Sequence, residues 1–356
     1  MEERQAPSSL MHGSRRGAFA IAALIGGVSW AFRPYAGPHQ PSTLVVTVVD
    51  SLARYPLVNA DVIDLATGQH RFTDERGQAY LTWPSSGQLQ IRVREVGYQP
   101  RQRTLHQGAG SAATFEMPKV AYVLSTVRAT SSCSTTEDTV ASDLSFAVLD
   151  QLRQGAEKYD QFRKLYPFEL TVEQRIAAVP ADSEKPRIIA NIEKFRSDNY
   201  EARYQPGEII EYSRGTFHVP ILFLSTLADS TFWENHCFVA SGGQTYQGAP
   251  IVRLDFSPRS ALITADYEGS AYLDSATSSL RRVDFHLANL TDRRGPKRLE
   301  GYVTFMSPSP YVVVPDTTVA IWWVRNVRNG DWGKPDYVQR LSLQEVKYRG
   351  KKPPPK

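Results

Sequence analysis

The stretch that decides the fold of the first half of the chain begins Leu44-Val45-Val46-Thr47-Val48-Val49 and continues with Ala60-Asp61-Val62-Ile63-Asp64-Leu65. β-Branched residues dominate the first run, and the second roughly alternates between apolar and polar residues. Both patterns are typical of strands with one buried face. Further strands are predicted over 80–83 and 89–96, with a hairpin turn at Thr67-Gly68. Short strands separated by turns at this spacing predict a β-sandwich.

Two turn motifs lie between these strands. In Thr73-Asp74-x-x-Gly77, the Asp74 side chain can accept hydrogen bonds from backbone amides ahead of it, and Gly77 can adopt a positive φ without a steric penalty. Gly97-Tyr98-Gln99-Pro100 predicts a corner. We therefore select Asp74, Gly77, Gly97 and Tyr98 as the turn signature of this module.

Together with 56–62, these motifs make residues 42–118 similar to the carboxypeptidase regulatory-like domain, a prealbumin-like β-sandwich. In metallocarboxypeptidases this module follows a zinc-dependent catalytic domain. None of the seven histidines here begins the His-x-x-Glu pair that usually starts that metal site. The resemblance therefore implies a fold and a rigid adaptor, without peptidase activity, and we expect neither a metal nor another cofactor.

The N-terminus predicts export. Arg15-Arg16 precedes an apolar run over 17–32, which is sixteen residues and shorter than the roughly 20 that a membrane span needs. It fits a secretory signal over 1–31, cleaved after Ala31, or alternatively an uncleaved anchor. We expect a periplasmic or outer-envelope location, with membrane contact only if this segment stays attached.

Export bears on the two cysteines, Cys133 and Cys237. In an oxidising compartment, a pair of cysteines is more often a disulfide than two free thiols, so we predict a bond between them. A buried free thiol is the alternative. Catalysis by His236 and Cys237 is disfavoured because neighbours on a strand point to opposite faces.

The second half of the chain predicts one helix and many strands. A polar linker over 119–141 precedes an amphipathic helix that starts after Ser142 and ends before Pro167. Strands then alternate with turns, which predicts a domain over 142–346 in which a larger antiparallel, half-barrel-like sheet curls around the helix; a disordered basic tail over 347–356 follows. The fold class is mainly β. The apolar helix positions are Leu144, Val148, Leu149, Leu152, Ala156, Tyr159 and Phe162.

A second resemblance lies in this half. Phe232-x-x-x-His236-Cys237-Phe238, Gly269-x-x-Tyr272-Leu273-Asp274 and Ile321-x-Trp323-Val324-Arg325 are similar to the uncharacterised β-rich C-terminal domain of exported bacterial proteins that also begin with the regulatory-like module. The Pro-rich segment 307–315 departs from that pattern. This resemblance implies no activity.

Two features are candidate sites, and two further stretches have a structural interpretation. Trp322, Trp323 and Tyr302 could line a ligand groove, although core packing explains them equally well. Ser241-Gly242-Gly243 predicts a turn, and a strand is predicted over 261–265. Four acids lie in or beside consecutive strands and could supply an acid/base pair: Asp255, Asp266, Glu268 and Asp274.

A net charge of +4 is too small to indicate nucleic acid binding. We therefore predict a non-catalytic exported envelope protein that binds or scaffolds an unknown partner. A carrier of a lipid or other apolar ligand is the first alternative, and a hydrolase using paired carboxylates is the second. An apolar helix–sheet cavity would favour the carrier, and two facing carboxylates in a cleft would favour the hydrolase.

Overall fold

The computed structural model describes residues 43–108, 110–121, 143–178, 187–197, 204–213, 216–219, 222–290, 296–309, 312–324 and 335–353. Pro41–Lys356 form one compact unit. None of the helices within the described ranges is long and apolar enough to span a membrane.

The first seven strands form a β-sandwich, as predicted. A three-stranded sheet has the order β4-β1-β7, and a four-stranded sheet has the order β3-β2-β5-β6. Inward-facing residues alternate along β1, where Leu44, Val46 and Val48 are buried in the core between the sheets. The strands are β1 (Thr43–Asp50), β2 (Asp61–Asp64), β3 (Gln69–Phe72), β4 (Gln78–Thr82), β5 (Gln88–Arg94), β6 (Arg101–His106) and β7 (Ala112–Met117).

The predicted turns of the sandwich have the expected chemistry. Asp74 Oδ1 accepts hydrogen bonds from the amides of Arg76 and Gln78, each at 2.9 Å. Gly77 has φ 69°, and a Cβ there would lie 2.6 Å from the Val48 carbonyl oxygen, so only glycine fits.

The predicted helix is α1 (Asp143–Leu165). Its apolar positions pack as expected against the large sheet: Val148, Leu149, Leu152 and Phe162 are buried, and Leu144, Ala156 and Tyr159 are partly buried. Two short helices, α2 (Leu224–Ala228) and α3 (Ser230–Asn235), follow later in the chain.

A nine-stranded antiparallel sheet covers the helices and is not closed into a barrel. Its order is β12-β13-β14-β15-β16-β17-β18-β8-β9, and β10 pairs with β11 separately. The strands are β8 (Phe168–Ala178), β9 (Arg187–Arg196), β10 (Glu211–Ser213), β11 (Thr216–His218), β12 (His236–Tyr246), β13 (Ala249–Pro258), β14 (Asp266–Asp274), β15 (Leu280–Ala288), β16 (Arg298–Ser309), β17 (Val312–Trp323) and β18 (Tyr337–Tyr348).

Three sequence predictions are wrong. Ser241-Gly242-Gly243 is not a turn but part of β12, at a register shift where Gly243 with φ 76° absorbs a bulge. The stretch 261–265 is a loop rather than a strand, because Pro258 ends β13 and the chain turns there, leaving Ile263 76% exposed. The predicted tail begins too early, since β18 pairs with β8 as far as Tyr348.

Candidate functional site

The structure separates the aromatic residues predicted to line a groove. Trp322 faces the core beneath the helices, whereas its neighbour Trp323 lies on the opposite face of the sheet. Tyr302 shares that outer face, where Arg282 stacks on it at 4.1 Å and Arg298 stacks on Trp323 at 4.8 Å. Tyr302 and Trp323 therefore support arginine side chains on the outer face, and the three residues do not line one groove.

Among the described residues, α1 packs directly on the inner face of the nine-stranded sheet. Side chains of α1 and the inner face of the sheet share one apolar core. The small void found between Tyr159, Phe305 and Val313 measures about 20 Å³. Because ligand pockets generally have volumes of about 300–1,000 Å³, the described residues do not form the predicted groove for an apolar ligand at this place.

The four candidate acids do not converge, because each has its own partners. Asp255 accepts from Arg253 and Ser270, and Glu268 lies 3.6 Å from His286. Asp274 accepts hydrogen bonds from the amides of Ala276 and Thr277 in the turn that follows it, and it pairs with Arg281 at 3.0 Å. The fourth, Asp266, is fully buried. No two of these carboxylates face each other across a cleft.

Asp266 belongs to a buried network around His236. Asp266 accepts a hydrogen bond of 2.6 Å from the Tyr204 hydroxyl and lies 3.5 Å from the His236 ring. The two ring nitrogens of His236 lie 3.0 and 2.9 Å from the backbone oxygens of Phe232 and Tyr267. Burial lowers the pKa of His236, and Asp266 opposes that effect. The ring stacks on Phe232 at 3.8 Å, which indicates a structural role in the core.

Cys237 is buried at the start of β12, next to His236. Cys133 and the linker from 122 onward lie outside the described residues. The disulfide between the two cysteines therefore stays a prediction.

A larger cavity lies where the sandwich meets α1 and the large sheet. Its volume is about 550 Å³, within the range of ligand pockets. We call it the junction cavity. It is lined by the β1–β2 loop at 55–58, the corner at 95–98, one side of α1 and the β14–β15 turn at 276–281.

The walls of the junction cavity are held together by polar contacts across the junction. Gln151 of α1 accepts a 2.6 Å hydrogen bond from the amide of Gly97 and donates to the carbonyl of Tyr98 at 3.4 Å. Lys158 of α1 forms a 2.6 Å ion pair with Glu95. Thus Gly97 and Tyr98, selected from the sequence as turn residues, also fix the sandwich to the helix.

A second set of contacts lies beside the cavity. Arg94 at the end of β5 pairs with Glu157 of α1, and also with Asp61 at 2.8 Å. His70 approaches the same Asp61 carboxylate at 2.9 Å. Because the Arg94 side chain is only 12% exposed, this pairing fixes the sandwich more firmly than a surface ion pair would.

The side of the junction cavity formed by the sandwich carries hydroxyl groups that are hydrogen-bonded to each other. The Tyr55 and Tyr98 hydroxyls lie 2.8 Å apart, and Tyr98 donates to Asp50 at 3.1 Å. Burial raises the pKa of Tyr98, and its bonds to Tyr55 and Asp50 raise it further, so the phenol stays protonated at neutral pH.

The charges of the junction cavity are largely balanced. Lys158 pairs with Glu95, and Arg281 pairs with Asp274. Lys119 lies close enough to Asp50 to help lower the pKa of that carboxyl. Apolar side chains complete the lining: Leu57, Val96, Leu152, Leu224, Leu280 and Val313. Such a surface suits a ligand with an apolar body and uncharged polar groups.

The sequence analysis missed the helix residues that build this site. Gln151 and Lys158 are buried although they are polar, and they lie two helical turns apart on a second face of α1. A polar stripe on a helix usually faces water, so the sequence did not distinguish an interface from a solvated face. In the part of the chain that the structure describes, no three His, Cys, Asp or Glu side chains come together as metal ligands would.

No family model matches the sequence, and no curated protein matches it. A proposed outer membrane lipoprotein-sorting protein domain from Vibrio parahaemolyticus is 10% identical, with a TM-score of 0.31. A DUF1329 family protein from Desulfovibrio piger is 9% identical, with the same TM-score. Each match covers 56% of this chain and 93% of the other. Likeness at this level supports no conclusion, and the resemblance to the carboxypeptidase regulatory-like domain is not confirmed.

Proposed function

We propose that this protein is a non-catalytic binding protein of the cell envelope, and that its ligand occupies the junction cavity. The observation that carries the proposal is the open cavity of about 550 Å³, lined jointly by the sandwich, α1 and the β14–β15 turn. Pockets between packed units are frequent ligand sites. The double arginine and the apolar run at the N-terminus support an exported location.

The lining favours a small ligand without net charge. A charged ligand would have to compete with the ion pairs at Lys158 and Arg281, which already hold opposite charges. The Tyr55 hydroxyl and the turn at 276–279 offer hydrogen bonds, and the apolar side chains offer contact area.

In this proposal the sandwich acts as an adaptor that forms one wall of the site. The carrier alternative, with a lipid between helix and sheet, has less support because the described side chains of α1 and of the sheet share one apolar core. The hydrolase alternative has less support because the four candidate carboxylates are engaged separately.

Prodan, an uncharged solvatochromic naphthalene dye, tests the site. We expect prodan to bind the protein with a blue-shifted emission. Ala276→Trp places an indole at the exposed turn that lines the cavity, and should weaken binding by about tenfold or more, which is about 1.4 kcal/mol. Leu52→Trp adds the same ring at a residue that is 92% exposed and outside the lining, and should leave the affinity unchanged. Equal affinity in both variants, or no binding to the unmodified protein, would contradict the proposal.

A further inference from the structure

The nine-stranded sheet has two ends that differ in their cover. At the β12 end, the Ala240 amide donates to the Ser145 hydroxyl of α1 at 2.8 Å, so the helix occupies that edge. At the other end, β9 pairs with β8 along its whole length. None of the described strands pairs with the outer edge of β9. An edge strand of ten residues therefore presents its backbone groups for pairing.

The side chains of β9 are unusual for an edge strand. Ile188 is 66% exposed, Ile189 51%, Ile192 56% and Phe195 43%. Charged residues stand at its first position and among its last four, and the stretch 188–192 has none. Natural edge strands generally carry protective charges or prolines. The stretch 188–192 of β9 carries neither, so this part of the strand has the character of an interface.

We propose that β9 pairs antiparallel with β9 of a second copy of this chain, which joins the two sheets across a two-fold axis. Such isologous contacts are the commonest way in which soluble proteins form dimers. If the two-fold axis is perpendicular to the sheet, the inner faces of the two sheets lie on the same side of the joined sheet. Residues directly opposite each other must then come from the same face, which restricts the possible registers.

The register centred on Ile192 suits the sequence best. Ile192 then meets its counterpart at the axis, and Phe195 lies opposite Ile189 of the second copy. Lys194 lies opposite Ala190, so no two like charges are directly opposed over 188–196. Both faces of the joined strands gain apolar pairs, which stabilise antiparallel sheets.

The neighbouring registers are poorer. Centring on Glu193 sets two carboxylates opposite each other. Centring on Asn191 opposes Lys194 to Ile188 and Phe195 to Arg187. Centring on Ala190 opposes Arg187 to Glu193 and Ile188 to Ile192, but it restricts the pairing to 187–193 and leaves Phe195 without a partner. The Ile192 register opposes Ile188 to Arg196, but it extends the pairing over 188–196 and gives Phe195 an apolar partner. The length of the pairing and the place of Phe195 therefore favour self-pairing about Ile192.

Light scattering coupled to size-exclusion chromatography tests the dimer on the full chain. We expect a dimer whose fraction rises with concentration. Ile192→Lys sets two ammonium groups together at the axis and should give a monomer. Ile263→Lys makes the same substitution at an exposed loop residue and should remain dimeric. A monomer at every soluble concentration would overturn the proposal, and an extended segment of another protein would then be the candidate partner of this edge. A dimer that Ile192→Lys does not weaken would overturn it as well.

Cross-linking tests the register. The thiols introduced by Ile192→Cys should join two chains under mild oxidation, seen as a doubled mass on a non-reducing gel. Ala190→Cys and Lys194→Cys should cross-link with each other when the two variants are mixed. Both results support the proposal. Failure of Ile192→Cys to cross-link in a dimeric sample overturns the self-pairing of β9.

Discussion

Gly97 shows how a single residue connects the sandwich to the rest of the molecule. Its φ of 89° is one that L side chains rarely adopt, and a Cβ there would lie 3.3 Å from the carbonyl oxygen of Thr277. Its amide donates to Gln151. Glycine is needed here both for the turn and for the close approach of the β14–β15 loop.

Asp50 is the residue whose titration should be visible in the stability of the sandwich. Hydrogen bonds from the amides of Ala53 and Leu52 and from Tyr98 lower its pKa below the ordinary 3.8, against the opposing effect of burial. Because the folded-state pKa lies below the unfolded one, the carboxylate contributes stability above about pH 4, and this contribution is lost as the pH falls through the folded pKa.

We therefore expect Asp50→Asn to lower the free energy of unfolding near neutral pH, with a difference from the unmodified protein that shrinks in acid. Urea unfolding at about pH 7 and about pH 3 measures both differences. Asp160→Asn, at a 52% exposed carboxylate of α1, is the control and should show a small effect at both values. A difference for Asp50→Asn that persists undiminished in acid would contradict this account.

At the scale of elements, α1 serves two partners with two faces. Its apolar face completes the core under the nine-stranded sheet, and a second, polar face holds the sandwich through Gln151 and Lys158. Side chains three and four positions apart share one face of a helix. A helix with both faces buried explains why its second stripe is polar but not solvated.

The ion pair between Lys158 and Glu95 gives a prediction at this scale. The two side chains are 8% and 17% exposed, so removing one partner takes away an ion-pair contact in a largely buried environment. We expect Lys158→Met to cost about 3 kcal/mol of stability. The double variant with Glu95→Met should recover most of that loss, because both charges are then gone. Denaturant unfolding measures each value.

Lys164→Met is the matched control for this prediction, since Lys164 is an exposed lysine on the same helix. It should change stability by less than about 0.5 kcal/mol. An equal loss in both single variants would show that the buried pair does not hold the junction.

For the whole molecule, the order of the chain requires that the sandwich and the large sheet be joined through α1. The sandwich ends with β7, and the large sheet begins with β8 directly after the helix. A disulfide from Cys133 to Cys237 would tie the linker to β12. It would close a loop of about a hundred residues, worth about 4–5 kcal/mol in the chain-entropy model.

We expect protein isolated from the host envelope to contain this bond and to begin at or near Phe32. The protein is alkylated with and without prior reduction, and its intact mass is then measured. The mass identifies the N-terminal residue, and the number of alkyl groups counts the free thiols. Two thiols that react before reduction would refute the disulfide. A soluble protein that retains Met1 would refute export.

The sequence alone determined those features that depend on neighbours along the chain. A run of β-branched residues predicted β1, glycine and aspartate predicted the turns at 74–77 and 97–100, and helical spacing predicted α1. Neighbouring residues on a strand point to opposite faces, so the sequence already indicated that Trp322 and Trp323 do not line the same groove. The bulge at Gly243 was not predictable in this way, because glycine marks turns and bulges alike.

Only the tertiary structure decided the candidate site and the interface. The junction cavity combines residues near 56, 96, 155 and 278, and no local pattern connects positions so far apart in the chain. The burial of Gln151 and Lys158 depends on the sandwich packing against α1, and the exposure of β9 depends on its place at the end of the sheet. Local preferences act over a few residues, whereas burial and pairing are set by which elements come together in space.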